Sequence, residues 1–236
     1  MKPQRGAALI LALWALALLS LMMGAVVQAI RLENRQSAYE LQHAKAQLAA
    51  EAGLALAIQA LTASPATLIA DGRPYALSFD DAQLTVKVYS ERGKLDVNFA
   101  NVDSLARLTQ YLGASPAQAN QIAAEISTRR ASSNPLKAIE ELQSFPGMDP
   151  TLYEQLAPDL TLWTGLGQPD PSFASEVVRS ALKLGPSPLG RNPGTVLSVH
   201  AQAVLATGAS ADLNVAFLLN PQGDGTQLYR VLRWQE

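Results

Sequence analysis

Between residues 7 and 30 the chain carries no charge, and its least apolar members are Ser20, Gly24 and Gln28. About 20 residues of helix cross a bilayer core, so the run is long enough to span one. A secretory signal has an apolar region of roughly 7–15 residues followed by a small-x-small cleavage site. Here the charged string RLENR (residues 31–35) follows directly. The pattern therefore reads as an anchor. Lys2 and Arg5 precede it, which sets the N-terminus in the cytoplasm and the rest of the chain beyond the membrane. Arg31 and Arg35 oppose that orientation but are diluted by Glu33 and Glu40.

The helical period continues past the membrane. Residues 31–62 contain no Pro and a single Gly, Gly53. Leu41, Leu48, Ala52 and Leu56 line one side, and Leu54, Ile58 and Leu61 recur at i, i+4 and i+7. Pro65, after Ser64, closes the stretch. Two arrangements satisfy this pattern. One is a continuous helix from 7 to 62, roughly 80 Å long at about 1.5 Å per residue. The other is a membrane helix followed by a separate amphipathic helix packed on a soluble domain. The unbroken composition favours the first.

The period then changes to two. Residues 74–79 and 84–89 predict a hairpin around Asp80-Asp81, with Leu84, Val86 and Val88 on one face. Residues 94–98 predict a third strand. Residues 98–163 return to helical spacing. Helices are expected at 104–112, capped by Asn101 or Asp103, and from Ser115-Pro116 to Arg129-Arg130, with Ala119, Ile122, Ala123 and Ile126 inward. Two more are expected at 135–143 and 150–156, separated by a turn at Phe145-Pro146-Gly147-Met148-Asp149. Residues 165–171 read as a linker. Residues 173–184 read as a short helix with Phe173, Val177 and Ala181 on one stripe. After a Pro- and Gly-rich loop (185–194), alternation over 195–206, 211–219 and 228–234 predicts three antiparallel strands, with a turn at 220–225. These strands can pack on the outer half of the long helix.

Charge and chemistry narrow the function classes. The 236 residues hold 18 Lys and Arg against 20 Asp and Glu, which offers no whole-chain drive toward nucleic acid. There is no Cys, so disulfide and thiolate chemistry are excluded. No Gly-x-Ser-x-Gly, His-Glu-x-x-His or phosphate loop is present, and no enzymatic role is expected. Of the two histidines, His43 falls on a polar helix position. His200 reads as a surface residue in a strand with a local contact.

Gln4-Arg5-Gly6 followed by Ala7-Ala8-Leu9-Ile10-Leu11 resembles a prepilin leader. Ala50-Glu51-Ala52-Gly53-Leu54 resembles minor pilins of the PilX kind and the K-type minor pseudopilins of type II secretion. Gly93, Lys94, Leu95, Asn98, Phe99 and Asn101 keep the outline of a K-type motif, with Ala100 and Val102 as departures. Glu141-Leu142, Gly147, Tyr153 and Leu156 match a further K-type segment, and Trp234-Gln235-Glu236 resembles the family's C-terminal tail. Most relatives carry Glu at the fifth mature position, where it answers a neighbour's N-terminal amine. This chain has Leu11 there, as K-type subunits lack that acid. An ammonium in an apolar bundle is costly unless paired, so a subunit without the acid suits a filament tip.

The resemblance implies an α+β, pilin-like fold: a long N-terminal transmembrane helix on an antiparallel sheet, with an inserted small helical domain. The expected segments are a leader (1–6), a membrane half of the helix (7–30) and a periplasmic half (31–64). Then follow a first sheet region (65–97), the inserted helical domain with its linker (98–184), and C-terminal strands (185–236). It further implies cleavage between Gly6 and Ala7 by a prepilin peptidase and residence in the inner membrane lipid, with a periplasmic ectodomain. Assembly with I-type and J-type minor pseudopilins at a pseudopilus tip is expected, with Leu41, Leu48, Ala52 and Leu56 in the packing and exported proteins as further contacts. The competing class is a minor pilin of a type IV pilus. Longer relatives hold calcium in the helical domain. Here Arg129-Arg-Ala-Ser-Ser-Asn134 stands where acidic ligands would be sought, and Asp80, Asp81 and Asp224 read as turn residues, so no cofactor is expected. The Gly147 hairpin also resembles helix-hairpin-helix DNA-binding modules. Glu140, Glu141, Glu154 and Asp159 around it would repel phosphate, leaving Arg129-Arg130 as the one concentrated positive pair.

Overall fold

The computed structural model describes residues 5–63, 66–185, 192–220 and 228–236. Lys2 and most of the expected leader, the Ser64-Pro65 helix stop, most of the 185–194 loop and the turn containing Asp224 lie outside these residues.

The long helix is continuous. Helix α1 runs Arg5–Thr62, 58 residues, or roughly 85 Å at about 1.5 Å per residue. Its only interior glycines after residue 6 are Gly24 and Gly53, and no proline interrupts the hydrogen-bond ladder. Strands β1 (Asp71–Phe79) and β2 (Ala82–Ser90) form the expected hairpin, with Asp80 in a left-handed conformation (φ 52°) at its tip. Strands β5 (Val196–Leu205), β6 (Ser210–Leu219) and β7 (Tyr229–Gln235) complete one antiparallel sheet ordered β1-β2-β5-β6-β7.

Alternation in these strands buries one face. Leu84, Val86 and Val88 of β2, Leu197, Val199 and Ala201 of β5, and Leu213, Val215 and Phe217 of β6 form a core with Ala46, Ala50, Leu54, Ala57 and Ile58 of α1. Small residues on α1 let its axis lie close to the sheet. Gly53 is one such position: a Cβ there would sit 3.2 Å from Ala201 Cβ and 3.4 Å from Val86 Cγ2.

The chain between β2 and β5 builds a second core. Strand β3 (Leu95–Asp96) pairs in parallel with β4 (Leu160–Thr161). Around them lie α2 (Val102–Tyr111), α3 (Pro116–Ala131), α4 (Pro150–Leu156) and α5 (Glu176–Leu182). Asn101 caps α2, and Ser115 with Gln118 forms a reciprocal capping box on α3. Ala119, Ile122, Ala123 and Ile126 are all buried, as their spacing predicts.

Four expectations change. The third strand is two residues long and belongs to the helical module, because the 3-10 turn Glu91–Gly93 carries the chain out of the large sheet. Leu95 and Val97 accordingly sit in the module's core, ahead of the expected boundary at residue 98. The helix expected at 135–143 is a 3-10 helix, Ile139–Ser144, because the backbone at Leu136 is held by the Asn98 side chain instead of by a helical ladder. The expected linker 165–171 is pinned: Gly165 N–H donates to Asp96, and Asp170 N–H donates to the Arg92 carbonyl at 2.7 Å. Helix α5 starts only at Glu176, after the Ser175 cap, and buries Val178, Ala181 and Leu182, while Phe173 precedes it.

Candidate functional site: an exposed helix and the module beside it

Every described side chain from Leu11 to Leu41 is exposed. Leu11 is 71% exposed and Trp14 67%. Up to Ile30 this stretch is uncharged on all sides and free of its own fold, as suits lipid or other helices. Among the described residues it is the one helix long and apolar enough to cross a membrane. Gly6 and Ala7 lie on its helical backbone.

Contact with the sheet begins at Gln42, whose Oε1 accepts from Thr207 Oγ1 at 3.1 Å, and Ala46 is the first fully buried position. The stripe Leu54, Ile58, Leu61 turns inward onto the sheet. The other stripe divides. Leu41 (57% exposed) and Leu48 (62%) face away from the ectodomain. Ala52 and Leu56 lie at the border, and Leu56 packs against the protein's own core. Tyr39 stacks on His43 at 6.2 Å between ring centroids, and Glu51 is exposed. Past the charged and polar segment 31–37, Leu41 and Leu48 thus stand as exposed leucines on the ectodomain half of the helix, turned away from their own fold.

Most of the motif positions quoted from the sequence have a structural task, whereas Phe99 is exposed. Gly93 lies against the Phe173 backbone, where a Cβ would fall 2.1 Å from the Phe173 carbonyl oxygen. Lys94 Nζ is 2.6 Å from the fully buried Glu91 carboxylate and 3.4 Å from Ser198 Oγ, tying the module to β5. Asp96 Oδ1 accepts from Asn98 N–H, and Oδ2 accepts from Thr164 N–H, Thr164 Oγ1 and Gly165 N–H. Asn98 exchanges two hydrogen bonds with the Leu136 backbone. Glu141 accepts N–H groups of Lys137 and Ala138 and pairs with Arg129 at 2.6 Å; those backbone donors first, then Arg129, hold its carboxyl below the usual range. Gly147 takes φ 87°, which the turn requires.

Arg129 and Arg130 both turn inward. Arg129 also lies 4.8 Å over the Phe145 ring and 3.6 Å from Glu125. Arg130 Nε and Nη2 donate to the Val97 carbonyl, and Nη1 donates to that of Ala100 at 2.7 Å. Burial pulls the Arg130 pKa down, and the Asp96 charge opposes that shift. This positive pair is therefore used inside the module. Toward the calcium that the resemblance implies, the buried Asp96 carboxylate is already committed, since its two oxygens accept four hydrogen bonds; among the described residues no group of three or more His, Asp or Glu converges.

A cleft of about 600 Å³ separates the module from the outer sheet face, between Tyr89, Ser198 and His200 on one side and Tyr153, Asp159 and Trp163 on the other. Burial raises the Asp159 carboxyl and the Tyr89 hydroxyl; Ser175 Oγ donates to Asp159 at 2.7 Å and partly offsets the first. His200 Nε2 lies 3.3 Å from Asp212 Oδ1, a local surface contact. Sequence reasoning gave no structural role to Asp96, Asp159 or Asp170: Asp96 fell in an expected strand, Asp159 counted only toward the acidic surroundings of the Gly147 hairpin, and Asp170 fell in an expected linker.

Among solved structures, the chain is similar to a chain in the crystal structure of the GspK-GspI-GspJ complex from the enterotoxigenic Escherichia coli type 2 secretion system. The two are 15% identical with a TM-score of 0.62, over 85% of this chain and 98% of that one. The fold is pseudopilin-like. No protein family matches the chain by sequence, and no curated protein does. At this identity the likeness is one of architecture: a long helix on an antiparallel sheet with small helices beside it.

Proposed function

We propose that this chain is a minor pseudopilin of a type II secretion system, of the K type, acting without catalysis at the tip of the pseudopilus. The observation that carries this reading is the exposed apolar surface of α1: all of its membrane half, and again Leu41 and Leu48 beyond the charged segment 31–35, on a pseudopilin-like fold. Apolar surface left open along a helix is buried by other helices, in lipid or in a bundle. The similar fold found in a three-protein minor-subunit complex supports I-type and J-type partners. The anchor would hold the chain in the inner membrane with its N-terminus in the cytoplasm and its ectodomain in the periplasm, and prepilin peptidase would cut between Gly6 and Ala7. Leu11 supports the tip position, since the chain offers no carboxylate there to a following subunit's amine. Secreted proteins would meet the assembly at this end.

The test is co-expression of the full chain with I-type and J-type subunits, extraction in detergent and copurification. A stable complex containing one copy of each is expected. A chain that retains neither partner, or that cross-links at regular intervals along the filament body, overturns the reading.

A further inference from the structure

Two sets of oxygens converge on the helical module, one within it and one at its surface, and a guanidinium meets each. The first comprises the Val97 and Ala100 carbonyls beside the Asp96 carboxylate, and the second comprises the Glu125 and Glu141 carboxylates. We infer that Arg129 and Arg130, consecutive on the last turn of α3, do here what a bound divalent cation would do, so that the module folds and persists without metal.

Successive helix residues point about 100° apart, so two adjacent arginines reach different clusters. Arg130 gathers the 97–100 turn through Nε and Nη2 on the Val97 carbonyl and Nη1 on that of Ala100. Arg129 holds Glu141 at 2.6 Å and Glu125 at 3.6 Å. Calcium takes about 6–8 oxygen ligands in direct contact. Asp96 cannot supply them, because backbone N–H groups of Asn98, Thr164 and Gly165 and the Thr164 hydroxyl already point at its two oxygens. One Glu141 oxygen is likewise taken by the N–H groups of Lys137 and Ala138. A planar, five-donor cation suits what remains: the Val97 and Ala100 carbonyls for Arg130, and the Glu125 and Glu141 carboxylates for Arg129. The position at a helix C-terminus adds a favourable interaction with the negative end of the helix. None of this depends on the proposed role in secretion.

The full chain in detergent micelles, with Trp14 and Trp234 replaced by Phe, leaves Trp163 as a fluorescent reporter inside the module. Its thermal midpoint should be the same in excess EDTA and in millimolar calcium, and calorimetric titration with calcium should give no binding heat. Arg130→Met should lower the midpoint by roughly 5 °C or more, Arg130→Lys by less, and calcium should restore neither. A wild-type midpoint that falls in EDTA or rises in calcium overturns the inference, as does an Arg130→Met chain that melts with the wild type. If Arg130→Met does not fold, the EDTA and calcium comparison on the unchanged arginines decides alone.

Discussion

Asn98 and Leu136 are joined by two hydrogen bonds of 2.9 Å: the Asn98 amide nitrogen donates to the Leu136 carbonyl, and the Leu136 N–H donates to the Asn98 amide oxygen. A side chain thus replaces a strand partner for one buried residue 38 positions away. Asn98→Ala would leave both Leu136 backbone groups unpaired and is expected to cost roughly 2–4 kcal/mol. Asn98→Asp keeps the acceptor and loses the donor, so it should fall between. Urea unfolding followed by Trp163 emission measures both, and equal stability of Asn98→Ala and the wild type would refute this account.

Gly53 and Leu48 lie on the same helix and should respond in opposite ways. Gly53→Val drives a side chain into Ala201 and Val86 and should destabilise the helix–sheet core by about 1–3 kcal/mol. Leu48→Glu touches no core and should leave stability within about 0.5 kcal/mol of the wild type. Leu48→Glu should nonetheless weaken copurification with the partner subunits, because a charge would enter an apolar contact. Unfolding curves and pull-down yields on the same two variants separate folding from assembly.

Processing is checked by mass. Chain isolated from cells with prepilin peptidase should begin at Ala7, and chain from cells lacking it should keep the leader. Replacing Gly6 with a bulky residue should retain the leader in both. Leu11→Glu should not improve secretion, because a tip subunit has no following amine to neutralise.

Asp159 and Glu141 predict opposite responses to acid. Burial raises the Asp159 pKa in the native state. As pH falls through that raised value the native state takes its proton before the unfolded chain does, so stability rises until the ordinary aspartate range is passed. Glu141 is lowered by the N–H groups of Lys137 and Ala138 and by Arg129. Its stabilisation is full above the ordinary glutamate range and is lost as pH falls through the lowered native value. Asp159→Asn should remove the first effect and Glu141→Gln the second, as read from thermal midpoints across the acid range.

Much of the architecture was legible because it is local. The end of α1 at Thr62, the buried faces of β2, β5 and β6, the caps at Asn101 and Ser115, and the inward side of α3 all follow from periodicity and from donors left free at helix starts. Periodicity records that a residue is buried but not against what. Leu41, Leu48, Ala52 and Leu56 form one stripe in sequence, yet only Leu56 reaches the protein's own core, because the stripe drifts around the helix as it passes the sheet. The short parallel pair β3–β4, the non-helical backbone at Leu136, and the inward turn of Arg129 and Arg130 were decided by tertiary structure alone. The strand pair, Leu136 and Arg130 depend on backbone groups dozens of residues away, and Arg129 on the side chains of Glu141 and Phe145 in the next segment; such partners leave no trace in the spacing of the residues beside them.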